Sequence, residues 1–347
     1  MNIQKLIRPN IRSLRAYQAK EIPCAAKLDA NESPFGFPVT KEMLRSVATN
    51  RYPDPEAKAL RKAIARDLKI RPENILQGNG SDELIYYLIT TFGGPVLSPV
   101  PTFSMYGIIA QALGEKSVAV PLTDAFDLDL PKMLAAIRHD KPRLIFLSSP
   151  NNPTGNCFSA ESILKIIEAV KDKAIVVVDE AYQPFASVRG FIPFLRDYPH
   201  LVIMRTLSKI GLAGLRVGFL IAQGEIIDEV NKVRLPFNLN AFSQSIALSA
   251  MNRKAALRRR IQLIISERGR LFRELSNIEG IMPYPSEANF ILFRVREPDR
   301  VYEELLNKGV LVRNMKGVVD GCLRVTVGTT AENRMFINRL KSVLKNY

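Results

Sequence analysis

Three short apolar runs each end in residues equipped for chemistry. Leu144-Ile145-Phe146-Leu147 runs into Ser148-Ser149-Pro150-Asn151-Asn152-Pro153-Thr154-Gly155. Ala174-Ile175-Val176-Val177-Val178 runs into Asp179-Glu180-Ala181-Tyr182, and Leu201-Val202-Ile203-Met204 into Arg205-Thr206-Leu207-Ser208-Lys209. An amide, a carboxylate, a phenol and an amine thus follow one another along the chain. If the runs are neighbouring parallel strands, these groups converge beyond the strands' carboxyl ends, where open α/β sheets collect their ligands. A nucleophilic lysine beside a desolvated acid and two hydrogen-bonding groups suits a pyridine-ring aldehyde cofactor held as a Schiff base. Lys209 is the residue on which that chemistry turns.

The elements around these runs support such a convergence. Short β-rich runs alternate with helical stretches up to about Ala222, the pattern of a mostly parallel sheet covered on both faces. Ala57 to Leu68 reads as a helix with Leu60, Ile64 and Leu68 on one face. Asn74-Ile75-Leu76-Gln77 reads as a strand that Gly78-Asn79-Gly80 breaks, with a helix opening at Ser81-Asp82-Glu83. A long basic amphipathic helix spans Asn252 to Leu275. After it come fewer, more alternating strands, with Arg324 in Cys322-Leu323-Arg324-Val325-Thr326-Val327, and two helices. The expected organisation is an arm over 1–36, a large α/β domain over 37–240 and a smaller α+β domain over 241–347.

Each motif has a plainer reading when taken alone. Gly78-Asn79-Gly80-Ser81 places small residues and open N–H groups at a helix start, which receives a phosphate or merely caps the helix. It lacks both the third glycine of a dinucleotide fingerprint and the lysine of a nucleotide-binding loop. Asp179 needs a positive partner, a pyridinium nitrogen or a following helix N-terminus. Asn152 and Tyr182 are as compatible with turns as with contacts to a ring oxygen. Ser208 and Arg216 are candidates for a cofactor phosphate. Their joint order along the chain is what singles them out.

A formal net charge of +15 over 347 residues raises the question of nucleic acid. The basic residues are dispersed, however, and the densest group, Arg253, Lys254, Arg258, Arg259 and Arg260, falls on the amphipathic helix as a solvated face. The same charge would draw anionic substrates into a cleft. No nucleic-acid partner is expected, and no apolar run approaches a membrane span. The 3 cysteines are widely separated in the chain, without metal or redox spacing, so no metal site and a reducing cytoplasm are expected. Met1 to Pro9 contain no uninterrupted apolar signal core; the absence of an acid before Glu21 leaves a transit peptide as a minor alternative.

Several motifs together resemble fold type I pyridoxal-phosphate aminotransferases. They are Leu28-Asp29-Ala30-Asn31-Glu32-Ser33-Pro34-Phe35-Gly36, Arg51-Tyr52-Pro53-Asp54, Ser149-Pro150-Asn151-Asn152-Pro153-Thr154-Gly155 and Thr206-Leu207-Ser208-Lys209. Arg8-Pro9-Asn10-Ile11, the Asn31-Glu32 segment and Gly321-Cys322-Leu323-Arg324-Val325-Thr326-Val327-Gly328 are similar to the histidinol-phosphate aminotransferase branch. The resemblance runs along nearly the whole chain. It implies pyridoxal 5'-phosphate bound to Lys209, which also moves the proton between the substrate α-carbon and the cofactor. It implies Asp179 at the pyridine nitrogen, Asn152 and Tyr182 at the ring oxygen, and Phe103 stacked on the ring. Ser81, Asp82, Thr206, Ser208 and Arg216 would bind the cofactor phosphate. Tyr52 would reach into the neighbouring subunit of a homodimer, and Tyr17, Asn31, Arg313 and Arg324 would surround the substrate. Two arginines suit a phosphate and an α-carboxylate, which a guanidinium binds in two-point fashion; surface ion pairing is their simpler use.

The implied reaction exchanges an amino group between L-histidinol phosphate and 2-oxoglutarate, giving imidazole acetol phosphate and L-glutamate. A broad aromatic aminotransferase and a threonine-phosphate decarboxylase are the alternatives. The segment from Lys209 to Arg216 is about one residue shorter than the usual spacing, which bears on whether Arg216 reaches the phosphate.

Overall fold

A computed structural model describes residues 3–16 and 22–345. Tyr17, one of the expected substrate contacts, lies outside the described residues.

The central layer is a seven-stranded sheet. A short strand, β1 (Ala26–Lys27), precedes it in the chain. The sheet itself uses β2 (Ile75–Asn79), β3 (Val96–Val100), β4 (Ser117–Pro121), β5 (Leu144–Ser148), β6 (Ile175–Asp179), β7 (Leu201–Thr206) and β8 (Val217–Ile221) in the order β2-β8-β7-β6-β5-β3-β4. Parallel pairing runs from β7 through β6, β5 and β3 to β4. β8 is antiparallel to both its neighbours, so the sheet is mixed rather than wholly parallel. Contrary to the break read at Gly78-Asn79-Gly80, β2 continues through Asn79, because Gly78 and Asn79 pair with Gly218 and Val217. Glycine is weak in a strand by propensity, but here ladder hydrogen bonds decide the conformation.

Period-two alternation divides the sheet's side chains between two cores. Ile145, Leu147, Val176, Val178 and Ile203 enter one, with Leu60 and Ile64 of the helix Lys58–Leu68. Leu144, Phe146, Val177, Val202 and Met204 enter the other, with Leu84 and Leu88 of the helix Ser81–Phe92 and Tyr106 of the helix Met105–Leu113. Both faces are covered, which is why these strands read as continuous apolar runs.

The C-terminal part builds an antiparallel sheet from β9 (Ile281–Pro283), β10 (Phe290–Val295), β12 (Arg313–Asn314) and β13 (Cys322–Thr326), while β11 (Val310–Leu311) pairs in parallel with β1. Ala26 and Leu28 are buried in this third core beside Phe290, Leu323 and Phe336. Part of the expected arm is therefore a strand packed against the C-terminal layer. Thr326 N–H donates to the Leu28 carbonyl at 2.8 Å, continuing that attachment towards Asn31. The basic helix Lys254–Ser276 runs through both layers: Leu257 packs in the first core, Ile264, Leu271 and Leu275 in the third.

Candidate active site

The carboxyl ends of β5, β6 and β7 open onto a cleft of about 520 Å³. Parallel register brings them level: Ser148 pairs with Asp179, and Asp179 with Met204. Among the expected residues, Asn31, Ser81, Asp82, Phe103, Asn152, Asp179, Tyr182, Thr206, Ser208, Lys209, Arg216, Arg313 and Arg324 all line this one cleft. Tyr52 does not. It is 82% exposed and stacked on Phe237 with ring centroids 4.5 Å apart.

Lys209 sits in a single 3-10 turn, Ser208–Ile210, immediately after β7. Its Nζ lies 5.7 Å from the centre of the Tyr182 ring. The turn is fixed from behind: the Thr206 hydroxyl lies 2.9 Å from Ser208 Oγ and accepts from Ser208 N–H at 3.1 Å. At Gly211, φ is +102°, and a Cβ would collide with the Phe35 carbonyl oxygen. Only glycine lets the arm cross so close to the lysine turn.

Asp179 is buried at the floor of the cleft. Its Oδ2 accepts a 2.6 Å hydrogen bond from the Tyr106 hydroxyl, and Oδ1 accepts from Ala181 N–H at 3.0 Å. Burial pushes its carboxyl up to about 6, and the nearby Asp82 charge adds to the rise; Tyr106, the Ala181 N–H and the Lys209 ammonium oppose it. A carboxylate held at that cost favours a cationic partner in front of it. Sequence reasoning does not single out Tyr106. It lies in an apolar helix, where a buried tyrosine reads as core, and nothing local marks its hydroxyl as paired with a residue 73 positions away.

The Gly80-Ser81-Asp82 turn faces Lys209's neighbour Arg216. Among the described residues no side chain caps the helix Ser81–Phe92, so its first N–H groups have no capping partner from that source. Arg216 Nη2 lies 3.4 Å from Asp82 Oδ2, and a Cβ on Gly80, where φ is +86°, would collide with the same nitrogen. The shortened spacing after Lys209 thus still brings Arg216 to this turn. Two consecutive 3-10 turns, Ser208–Ile210 and Ala213–Leu215, and a left-handed Arg216 with φ of +54° take up the path. Open N–H groups, the Ser208 hydroxyl and a guanidinium line the cleft together here, a set able to hold an anion.

The opposite wall comes from the arm and the C-terminal sheet. Arg324 Nη1 donates to Asn152 Oδ1 at 2.5 Å and Nη2 to the Asp29 carbonyl at 2.7 Å. Arg313 is its ladder partner and is exposed at the mouth. Asn31, buried with φ of +54°, donates from Nδ2 to the Tyr182 hydroxyl at 3.0 Å and from its N–H to Thr326 Oγ1 at 2.9 Å. The neighbouring Asn151 holds the loop: its Nδ2 donates to the Pro101 carbonyl and the Thr154 hydroxyl, leaving Asn152 to face the cleft.

A second pairing lies just behind these strand ends. Arg205 donates from Nε and Nη2 to Glu180 Oε2 at 2.8 and 2.6 Å, and Phe191 N–H donates to Glu180 Oε1 at 2.5 Å. Among the described residues, no cluster of three or more His, Cys, Asp or Glu is placed to hold a metal, and no helix is long and apolar enough to cross a membrane.

A family model for aminotransferase class I and II matches residues 18–340. Histidinol-phosphate aminotransferase 2 of Nitrosococcus oceani is 44% identical, with 99% of each chain covered. The histidinol-phosphate aminotransferase of Caldanaerobacter subterraneus subsp. tengcongensis is 40% identical, again with 99% of each covered. Among solved structures, histidinol-phosphate aminotransferase from Sinorhizobium meliloti, in complex with pyridoxal-5'-phosphate, is 27% identical, covers 98% of each chain and superposes with a TM-score of 0.86. A lysine and an acid at adjacent strand ends, in a chain matched end to end by these relatives, make it a member of the class I and II aminotransferases, alongside the histidinol-phosphate aminotransferases.

Proposed function

We propose that this chain is a pyridoxal-phosphate-dependent aminotransferase of histidine biosynthesis. It would exchange an amino group between L-histidinol phosphate with 2-oxoglutarate and imidazole acetol phosphate with L-glutamate. The observation that carries the reading is the single cleft in which the Lys209 amine, the buried Asp179 carboxylate and the Arg313–Arg324 pair converge. The full-length relatives named for this reaction support it.

The cleft fits the cofactor on its own chemistry. The Gly80–Asp82 turn with Ser208 and Arg216 suits a phosphate, and Asp179, desolvated and facing the cleft, suits a protonated ring nitrogen. When bound, the cofactor supplies an aldehyde that takes up the amino group and a ring that accepts electron density. Lys209 would hold the aldehyde carbon and, once free, carry a proton to and from the substrate α-carbon at Nζ. Asp179 would keep a proton on the ring nitrogen. Asn152 and Tyr182 would fix the ring oxygen, and Phe103 would cover the ring face. Asn31, Arg313, Arg324 and Tyr17 would bind the substrate's phosphate or carboxylate and set its α-carbon towards Lys209.

The reading extends to a homodimer in which Tyr52 serves the neighbouring cleft. Its 82% exposure, its stack on Phe237 and the 63% exposed Leu235 support a surface made to be covered. Cys24, Cys157 and Cys322, all unpaired, are in keeping with a reducing cytoplasm.

The direct test is absorption spectroscopy of the protein loaded with pyridoxal phosphate. Titration with L-histidinol phosphate should bleach the lysine-linked band, and 2-oxoglutarate should restore it. A persistent band with histidinol phosphate but bleaching by phenylalanine or tyrosine would replace the substrate with an aromatic amino acid. Release of carbon dioxide without need of 2-oxoglutarate would replace transamination with decarboxylation. For the dimer, mixing inactive Tyr52→Ala and Lys209→Ala proteins should regenerate activity in hybrid dimers; no recovery would remove Tyr52 from the partner's cleft.

A further inference from the structure

Tyr106 stands outside the roles assigned above, yet it is fully buried and makes the shortest side-chain contact to Asp179. Its ring is stacked on Phe146 with centroids 4.6 Å apart and meets Phe103 edge-on at 5.6 Å. The Ser148 hydroxyl, which donates to the Pro150 carbonyl at 3.2 Å, lies near the phenol at the end of β5 and favours its ionised form. One side chain therefore touches the aromatic ring at the cleft's side wall, the end of β5 and the acid at the end of β6.

We propose that Tyr106 is the positioning residue for Asp179: it fixes the direction of the carboxylate and keeps it ionised, ready for a protonated ring nitrogen. This rests on the cofactor reading above. First, a buried carboxylate has lone pairs to satisfy, and a phenol at 2.6 Å satisfies one on Oδ2 while Ala181 N–H at 3.0 Å satisfies one on Oδ1. The two donors address different oxygens, so they set the plane of the carboxylate as well as its charge. Second, the phenol is the donor, because burial and the adjacent carboxylate push its own ionisation well above the ordinary tyrosine range. Third, the contact cannot swing away, since the ring is clamped between Phe146 and Phe103 in a close-packed core. The charged groups facing Asp179 are Lys209 from the turn after β7 and Asp82 from the helix Ser81–Phe92. They oppose one another, which leaves the neutral donors to decide the balance.

The test is a double-mutant cycle of Tyr106→Phe with Asp179→Asn. Tyr106→Phe removes only the hydroxyl and keeps both ring contacts. In cofactor-free protein, urea unfolding should show a larger loss for Tyr106→Phe at pH 8, where Asp179 is ionised, than at pH 5. That difference should vanish in the Asp179→Asn background. In the pyridoxal phosphate titration, Tyr106→Phe should weaken binding about tenfold at pH 7, the scale of one hydrogen bond to a charged group. The pH midpoint of the bound cofactor's absorption band should move upward, because less positive charge is held at the ring nitrogen. A merely structural role would leave that midpoint and the pH dependence of unfolding unchanged, and either result would overturn the proposal. An equal loss in the parent and the Asp179→Asn backgrounds would overturn it too. A parent protein that binds no pyridoxal phosphate would sink the cofactor reading instead, while the unfolding cycle still judges the pair.

Discussion

Asp179 and Glu180 are adjacent in sequence, both acidic and both buried, yet the two faces of the sheet treat them in opposite ways. Asp179 points towards the core that holds Tyr106 and Phe146, and its strongest partner is a neutral phenol. Glu180 turns to the other face, where Arg205 grips it with two hydrogen bonds and Phe191 N–H takes the second oxygen. The rear acid is fully paired and inert. The front acid has no direct cationic partner among the described residues, and its carboxyl is pushed up to about 6. The acid proposed to face the cofactor and the acid that braces the strands are thus separated by one residue of β alternation. The saturated pair behind ties the ends of β6 and β7 together, so that the unsaturated group in front is held in place.

The largest effect belongs to Lys209→Ala. That change should lower transamination by at least about a thousandfold, the scale of a lost nucleophile and proton carrier. Thermal unfolding of the cofactor-free protein should stay within a few degrees of the parent. Glu180→Ala should do the reverse, costing about 3 kcal/mol in urea unfolding by stranding Arg205, whose side chain is 19% exposed. Any turnover loss should follow the loss of folded protein. If Glu180→Ala folds as stably as the parent, the rear pair is not the scaffold described.

Asp179→Asn sharpens the contrast further. A carboxyl raised from 3.8 to about 6 on folding penalises the ionised native state. The penalty is fully present above about pH 6, shrinks as pH falls below 6, and is gone only below about 3.8, where folded and unfolded forms are both protonated. Cofactor-free Asp179→Asn should therefore be more stable than the parent at pH 7.5, by up to a few kcal/mol, with the gap narrowing at pH 4.5. Its affinity for pyridoxal phosphate should fall, as should that of the parent when the pH drops below about 6. The smallest effect belongs to the exposed Arg216–Asp82 pair at 3.4 Å. Asp82→Asn should change stability by less than about 1 kcal/mol, since solvent screens such pairs. A larger change would mean that the set able to hold an anion also supports the fold.

Most of the cleft was legible because buried parallel strands leave a sharp signature. An apolar run that stops abruptly at Asp179, or at Arg205 and Thr206 before Lys209, marks both the strand and its functional end. What stays hidden depends on pairing across distance. Gly78 and Asn79 continue β2 only because β8 lies beside them. The direction of β8 leaves no trace in composition, since an antiparallel strand buried on both faces reads like a parallel one. The attachment of β1 to β11 joins two-residue strands nearly the whole chain apart. Tyr106 and the Glu180–Arg205 pair belong to the same class. Their residue types are visible, but only the fold says which partner each one meets. Arg216 shows the converse: the shortened spacing is plain in the sequence, and backbone turns with Gly211 and Arg216 in left-handed conformations carry the side chain to Gly80.

The helix Lys254–Ser276 is held at two points along its length. Its first turn is anchored by Leu257 in one core, and its later turns by Ile264, Leu271 and Leu275 in another. A rod with an anchor in each layer cannot be released by melting either layer alone. Amide protons in its middle turns should exchange with solvent only when both cores open, and so should rank among the slowest in the protein. The basic face, read from the sequence as a solvated surface, thus belongs to the element that would make two layers come apart as one.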